Sequence, residues 1–216
     1  MSFYIELYNS LNNPDTSIAK IVLGEKIGEK FIFSKNQLIY STLSHIEKDL
    51  LLILKEGIKT PKPLLIKYNK SSIFYEPLII KTKSTINKVA NNPPSLIKAK
   101  NNLSNLTLKK YMLEEILGAS FENTTLALAT VIRKNKTDRV ALGEKLLIYE
   151  DGKTIGDMTD EDLKSKIKAL ALKVIKSGAS TTKNIYITKE NKEASKLLFS
   201  SFISVFIEPI LPEIIE

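Results

Sequence analysis

Cysteine and tryptophan are absent from the sequence, and histidine occurs once. Without cysteine the chain has no disulfide, no thiol nucleophile and no thiolate ligand for a metal. The one histidine, His45, lacks the other soft ligands whose regular spacing marks a zinc site, so we predict an exposed residue there. We therefore expect no metal centre.

Long hydrophobic runs are absent as well. No run approaches the roughly 20 apolar residues that a membrane-spanning helix needs. The N-terminus has no basic region ahead of an apolar one, and Glu6 interrupts its first apolar stretch, so we expect no signal peptide. We expect a cytoplasmic protein that does not enter a membrane.

The short motifs of common enzymes are also missing. The sequence has no Gly-x-Gly-x-x-Gly fingerprint, no phosphate-binding P-loop, no His-Glu-x-x-His and no Gly-x-Ser-x-Gly. Glu76 and Glu208 stand in two equivalent Phe-x-Glu-Pro segments and could do acid–base work only if the fold brought them together. We expect instead that each bonds backbone or a basic side chain near its own strand end. We favour a non-enzymatic protein with no catalytic residues.

Arginine is scarce although the net charge is +8 and the sequence pI is about 9.4. Nearly all basic residues are lysine, which is typical of a solvated surface in a chain of biased composition. A basic polyanion-binding module remains a less favoured alternative. Nucleic acid is not the partner we expect, because few aromatic residues alternate with the lysines.

The sequence contains one arrangement of blocks twice. Gly28–Lys30 precedes an apolar strand candidate, and Gly143–Lys145 precedes another. Ser44 and Thr159, each followed three residues later by a carboxylate, are predicted helix caps at the same distance beyond these glycines. Three further pairs of blocks match in the same order: Phe3–Leu11 with Tyr111–Ala119, Ile18–Val22 with Leu126–Thr130, and Phe74–Leu78 with Phe206–Ile210. We infer an internal duplication, whose period is too long for a solenoid.

Hydrophobic periodicity predicts the order α-β-β-β-α-β-β-β in each copy. The expected fold class is α+β, with two similar domains, mixed and mostly antiparallel sheets, and a pseudo-two-fold relation between them. The first copy spans residues 1–83, a Lys/Asn/Pro-rich linker spans 84–107, and the second copy spans 108–216. Pro209 and Pro212 predict that the last strand lies at a sheet edge.

The second copy resembles the N-terminal domain of the xanthine dehydrogenase accessory factor family, XdhC/CoxI. The segments that carry the resemblance are Leu126–Arg133, Arg139, Gly143–Lys145, Tyr149–Gly156 and Val205–Ile210. The first copy matches more faintly, at Ile18–Val22, Gly28–Lys30 and Phe74–Leu78. The chain thus resembles two diverged tandem copies of that domain. Such proteins usually add a C-terminal dinucleotide-fold domain, which we do not expect within these residues.

The resemblance implies a non-enzymatic accessory factor that assists the maturation of a molybdenum hydroxylase. Its cofactor would be the molybdenum cofactor (molybdopterin), and its partner would be the hydroxylase apoenzyme or another maturation protein. A duplicated domain could hold within one chain what the family forms as a dimer, and a homodimer of the whole chain stays open.

A basic cluster in the second copy is the strongest candidate for an anion site. Its members are Arg133, Lys134, Lys136 and Arg139, which we predict to lie on the loop between the first two strands. Arginine offers a planar fork and lysine a point charge to a phosphate, although the same residues also suit a solvated loop. The candidate cofactor-binding set consists of Arg133, Lys136, Arg139, Lys145 and Gly156.

The segment Thr159–Asp162 departs from the family pattern, which has a glycine-rich turn with a cysteine at this place. A glycine turn presents backbone N–H groups to an anion, whereas three carboxylates repel a phosphate. This departure favours an alternative function, a degenerate scaffold that keeps the core and interface of the family but has lost the ligand site.

Overall fold

A computed structural model describes residues 3–10, 16–35, 37–57, 62–77, 110–187 and 201–212. Four helices occur in this part of the chain: α1 (Phe3–Asn9), α2 (Lys48–Gly57), α3 (Lys110–Phe121) and α4 (Glu161–Ser177). Its ten strands are β1 (Thr16–Leu23), β2 (Lys30–Ser34), β3 (Gln37–Ser41), β4 (Leu64–Tyr68), β5 (Ser71–Pro77), β6 (Leu126–Asn135), β7 (Lys145–Tyr149), β8 (Thr154–Gly156), β9 (Thr181–Ile187) and β10 (Ser201–Ile210).

The strands form two five-stranded sheets of the same topology. Sheet one has the order β3-β2-β1-β5-β4, and sheet two has the order β8-β7-β6-β10-β9. All neighbouring strands are antiparallel. The predicted α+β class with two similar domains is confirmed. We call the part from α1 to β5 the first half and the part from α3 to β10 the second half.

Each half shows the described order α-β-β-β-α-β-β. The last strand predicted for the first copy, near Leu78–Lys81, lies outside the described residues, as does the predicted linker 84–107. None of the helices in the described ranges is long and apolar enough to cross a membrane.

Two glycines bend the chain in the same way in both halves. Gly28 N–H donates to the carbonyl of Ile21 at 2.8 Å, and Gly143 N–H donates to the carbonyl of Val131 at 2.7 Å. Both glycines have positive φ angles, 98° and 84°, which a residue with a Cβ adopts only with strain. Their identical contacts confirm that Gly28 and Gly143 are equivalent.

The predicted match between β1 and β6 is shifted by two residues. In the observed sheets Ile18 pairs with Glu76, and Leu128, not Leu126, pairs with Glu208. Lys20 in the first half is therefore equivalent to Thr130 in the second half. A shift of two residues keeps every side chain on the same face of a strand, so the apolar pattern alone cannot detect it.

One face of each sheet packs against a helix of its own half. In the first half, Ala19 and Ile21 of β1 share a core with Leu50 and Leu54 of α2. In the second half, Ala129 and Val131 of β6 belong to a core that includes residues of α4. These residues alternate along each strand with those that face the other way.

The opposite faces of the two sheets meet each other. Val22 and Phe74 of the first half share a cluster with Ile132 and Phe206 of the second half. A larger cluster joins Ile18 to Leu128 and includes buried residues of both α1 and α3. Each central strand is therefore buried on both faces, and the two halves form one packed structure.

The predicted edge position of the last strand is wrong, because β10 lies between β6 and β9. The physical basis of the prediction still holds locally. Pairing of β10 with β9 ends at Ile207, so at Pro209 only β6 remains as a neighbour. Proline lacks an N–H donor and is tolerated where one side of the strand is unpaired. Pro77 occupies the equivalent place in β5.

Both predicted helix starts are too early, by one residue at α4 and by more at α2. Helix α2 begins at Lys48 rather than at Ser44, and His45 is exposed ahead of it, as predicted, although not in the helix itself. Helix α4 begins at Glu161, with Asp160 and not Thr159 as its cap. Gly178 ends α4 in a left-handed conformation, φ 65°, and its N–H donates to Val174 at 2.9 Å.

Candidate functional site

A buried ion pair joins the two halves at Lys145 and Glu76. The Lys145 ammonium donates to Glu76 Oε1 at 2.6 Å and to the carbonyl of Gly143 at 3.0 Å. Only 3% of the Lys145 side chain and 2% of the Glu76 side chain are exposed. Because Lys145 follows the Gly143 bend and Glu76 precedes Pro77, the two repeated motifs of the sequence contact each other across the interface.

A second ion-pair cluster repeats this arrangement with the halves exchanged. Glu208 of the second half pairs with Lys30 of the first half, whose Nζ lies 3.0 Å from Glu208 Oε2. Glu208 also pairs with Lys20 through its other oxygen. Lys30 follows the Gly28 bend as Lys145 follows Gly143, and Glu208 is equivalent to Glu76.

The two ion pairs show an isologous interface. In such an interface, if residue i of one copy contacts residue j of the other, then the equivalent of j contacts the equivalent of i. Glu76–Lys145 and Glu208–Lys30 meet this condition. The expectation that each glutamate bonds a basic side chain is right, but the partner comes from the opposite half rather than from its own.

Electrostatics at Glu208 favour the ionised carboxylate. Burial opposes ionisation, but Lys20 and Lys30 outweigh it and lower the pKa of Glu208 to about 2. Burial likewise disfavours the charged form of Lys30, yet Glu208 keeps the pKa of that ammonium above its usual range. The Lys30 ammonium also lies 4.8 Å from the ring centre of Tyr4 and 5.2 Å from that of Phe3.

Charge is unevenly divided between the two pairs. Glu208 contacts two lysines, whereas one lysine contacts Glu76 within the described part of the chain. Thr130 stands in the second half where Lys20 stands in the first, and its buried hydroxyl has no hydrogen-bond partner among the described residues. Lys20, Glu76 and Thr130 line a narrow crevice between the sheets that has no room for a water molecule.

The predicted anion residue Arg139 lies at the N-terminus of α4. Its guanidinium donates to Asp160 Oδ2, while Asp160 Oδ1 accepts from the backbone N–H of Leu163 at 3.1 Å. Burial works against ionisation of Asp160, but the Leu163 N–H and Arg139 outweigh it, so the pKa of Asp160 lies below its usual range. Arg139 therefore has a carboxylate partner within the protein.

The basic cluster does not converge on one point. Arg133 and Lys134 belong to β6 rather than to the predicted loop. The Arg133 guanidinium lies 5.3 Å from the ring centre of Phe202, whereas the Lys134 ammonium donates to the carbonyl of Val140 at 3.2 Å. Lys136 is exposed beyond the end of the strand.

Gly156 has a packing role. A Cβ at this position would lie 2.7 Å from the carbonyl oxygen of Lys145 and 3.1 Å from a side-chain carbon of Leu146. Its φ of 156° adds strain for any other residue. Gly156 lets β8 approach β7 closely, which accounts for a glycine here without a ligand.

The candidate set does not fit a molybdenum cofactor as one site. Lys145 is buried in an interface ion pair, Gly156 packs on its own sheet, and Arg139 already binds Asp160. Carboxylates occupy the α4 N-terminus, where the helix dipole would otherwise favour a phosphate. No three His, Asp or Glu residues in the described ranges gather closely enough to hold a metal.

Sequence reasoning missed the partners of the two motif glutamates. The signal available was the recurrence of a lysine after each glycine bend and a glutamate before each strand-ending proline. Paired motifs in a duplicated chain are natural candidates for contacts across a two-fold axis. Lys20 had no such signal, because its equivalent is a threonine.

Comparison with known protein families finds a match in the second half. The XdhC and CoxI family model matches residues 121–185, from the end of α3 into β9. This match confirms the predicted XdhC/CoxI resemblance for that part of the second half. No curated protein matches the chain.

A search of solved structures finds a chain titled as a xanthine dehydrogenase from Bacillus halodurans. The two are 21% identical, with a TM-score of 0.36, over 45% of this chain and 30% of that one. The aligned region therefore spans less than a third of that protein.

Proposed function

We propose that this chain is a non-enzymatic accessory protein of the xanthine dehydrogenase system, which acts by binding a molybdenum hydroxylase or one of its maturation proteins. The observation that carries the proposal is the XdhC and CoxI match over residues 121–185. That region contains β6, β7, β8 and α4, which form most of the second half.

The geometry favours binding of a protein over binding of the cofactor. Three members of the candidate cofactor set are engaged within the fold, at Arg139, Lys145 and Gly156. The carboxylate pair of the chain is neutralised by lysines and buried, which leaves Glu76 and Glu208 unsuited to acid–base chemistry on a substrate. These contacts support a structural role for the motif residues.

The test is a pair of titrations with the purified full chain. The first uses the apoenzyme of a xanthine dehydrogenase from the same source, and the second uses isolated molybdopterin. We expect saturable binding of the apoenzyme and no binding of molybdopterin. Molybdopterin binding that is lost in the Arg133→Ala/Arg139→Ala variant, but not in Lys173→Ala on α4, would contradict the preference for a protein partner.

A second candidate is a scaffold that keeps the core and interface of the family without its ligand site. The carboxylates Asp160, Glu161 and Asp162 at the start of α4 favour it, because they repel an anionic ligand. It predicts that neither the apoenzyme nor molybdopterin binds. That result would remove support for the accessory function.

A further inference from the structure

Sheet two extends beyond the region that sheet one covers. The part that no described residue of sheet one covers has two rows in register across β6, β10 and β9, which we call the open shelf: Arg133, Ser204 and Asn184 in one row, and Asn135, Phe202 and Tyr186 in the next. The shelf lies on the same face of β10 as Phe206 and Glu208, since these residues alternate with Ile203, Val205 and Ile207.

The boundary between interface and shelf is sharp. Thr182, which pairs with Phe206, donates its hydroxyl to the carbonyl of Val22 in the first half. Two residues further along β9, Asn184 is exposed, and 59% of Tyr186 is exposed. In the row next to Phe206, the face becomes polar: Ser204 at its centre is buried, while Arg133 and Asn184 on either side are exposed.

The shelf combines flat rings with one cationic group. The rings of Tyr186 and Phe202 have their centres 6.2 Å apart, tilted by 51°, and the Arg133 guanidinium lies over Phe202 at 5.3 Å. No carboxylate in the described ranges lies within ion-pair distance of Arg133. The Ser201 hydroxyl donates to the carbonyl of Lys136 at 2.8 Å, which holds a second basic residue at the end of the shelf.

The first half has no equivalent of the shelf. Its strand β5 begins at Ser71, and β4 ends at Tyr68, so the chain turns where the second half continues as strand. Strand β10 has ten residues, whereas β5 has seven. The extension of the second sheet is not needed for the interface that the two halves share.

We propose that the open shelf binds a nucleotide unit, with the base stacked on Tyr186 and the phosphate near Arg133. Aromatic side chains on an open sheet face stack on bases of any sequence, and guanidinium groups pair with phosphate. The Asn184 amide oxygen accepts from the Ser204 hydroxyl at 2.7 Å, which leaves its NH₂ group as a donor to a base edge, and the Asn135 amide offers both a donor and an acceptor. The net charge of +8 complements a polyanion, which favours a single strand over a free nucleotide as the source.

The experiment measures fluorescence anisotropy of a labelled oligothymidylate of about ten nucleotides, within the usual site size, with the full chain. Tyr186→Ala is expected to weaken binding about tenfold, the effect of losing one stacked base, while Tyr186→Phe binds normally. Arg133→Ala should reduce the slope of log affinity against log salt by about 0.7, as one lost phosphate contact does. Lys173→Ala, an exposed charge on α4, is the matched control and should leave the affinity unchanged.

Three further probes identify the class of ligand. A labelled thymidine monophosphate that binds as tightly as the oligonucleotide identifies a free nucleotide as the source, with the same dependence on Tyr186. Equal binding of polyglutamate or of a duplex would overturn the proposal, because neither presents an unstacked base. Failure of both nucleotide probes, or equal affinity in Tyr186→Ala, would also overturn it.

Discussion

The two motif glutamates occupy equivalent places but have different surroundings. Glu208 is shared by Lys20 and Lys30, whereas Glu76 pairs with Lys145 and lines the same crevice as Thr130. The Thr130 hydroxyl has no hydrogen-bond partner among the described residues. The backbone duplication is preserved at both places, and the side chains around it have diverged. The comparison shows that the motif glutamate and the lysine after the glycine bend form the shared part of the interface, and that Lys20 is an addition in one half.

The helices next to these ion pairs, α1 and α3, have also diverged in their buried side chains. Phe3 and Tyr4 are buried at the start of α1, and the residues with the same burial spacing in α3 are Met112 and Leu113. Lys30 lies over the rings of Phe3 and Tyr4, whereas the equivalent Lys145 has no such ring contact among the described residues. The predicted match of Phe3 with Tyr111 is one residue out, because Tyr111 is 38% exposed.

Neutralising Glu208 should have the largest effect on stability. Glu208→Gln leaves two buried ammonium groups without a carboxylate, and removing one partner of a buried pair costs about 3–5 kcal/mol. Glu76→Gln leaves only the Lys145 ammonium without its carboxylate, so the loss of stability should be smaller. Urea unfolding of both variants measures the difference. Equal losses would show that Lys20 adds nothing to the second ion-pair cluster.

Acid should destabilise the protein through Glu208. Its folded pKa of about 2 lies below the ordinary glutamate pKa of 4.5, so its contribution is complete above pH 4.5 and is lost as the pH falls towards 2. The pKa difference corresponds to about 3 kcal/mol. Unfolding free energies measured across this window should fall in the native protein and fall less in Glu208→Gln. Parallel curves for the two proteins would contradict the assignment.

Substitution by alanine at the N-terminus of α4 and just ahead of α2 should change the stability of the protein by different amounts. Asp160→Ala removes the α4 cap and the partner of Arg139, and loss of such a cap costs about 1 kcal/mol. Glu47→Ala, ahead of α2, removes an exposed carboxylate that contacts Tyr68 and should change stability much less. Thermal unfolding of both variants distinguishes them, and a larger loss for Glu47→Ala would be inconsistent with the observed cap.

The last expected effect has the opposite sign, because it is a gain in stability at Thr130. Thr130→Val keeps the shape of the side chain and removes a buried hydroxyl that has no partner in the described structure. Removing an unsatisfied buried group should stabilise the fold by about 1 kcal/mol. Urea unfolding gives the value, with Thr130→Ala as a control for lost packing. A loss of stability in Thr130→Val would mean that the hydroxyl is satisfied in solution.

Much of the fold could be predicted from the sequence because its signals are local. Short apolar runs indicated β1 and β2, and the glycine before each Glu-Lys pair marked a bend that tolerates few other residues. The predicted spacing between the two copies, measured from Gly28 to Gly143, was correct because it rests on these two bends. A helix cap was less certain, since Thr159 and Asp160 are both suitable and only tertiary contact with Arg139 favours one of them.

The site could not be predicted in the same way because its contacts join residues far apart in sequence. Glu76 and Lys145 are 69 positions apart, and Lys20 and Glu208 are 188 apart. The basic cluster was misjudged because a count of charges does not show which of them already have partners. Arg133 and Arg139 are close in sequence, yet one stacks on a ring and the other binds a carboxylate.

A double-mutant cycle on Glu76 and Lys145 tests the central claim, that the two halves pack through reciprocal ion pairs. The variants are Glu76→Gln, Lys145→Met and their combination, with Glu47→Gln/Lys145→Met as a distant control pair. We predict a coupling free energy of about 1–3 kcal/mol for the first cycle and additivity in the control. Additive losses in the first cycle would show that Glu76 and Lys145 do not meet, and would contradict the interface.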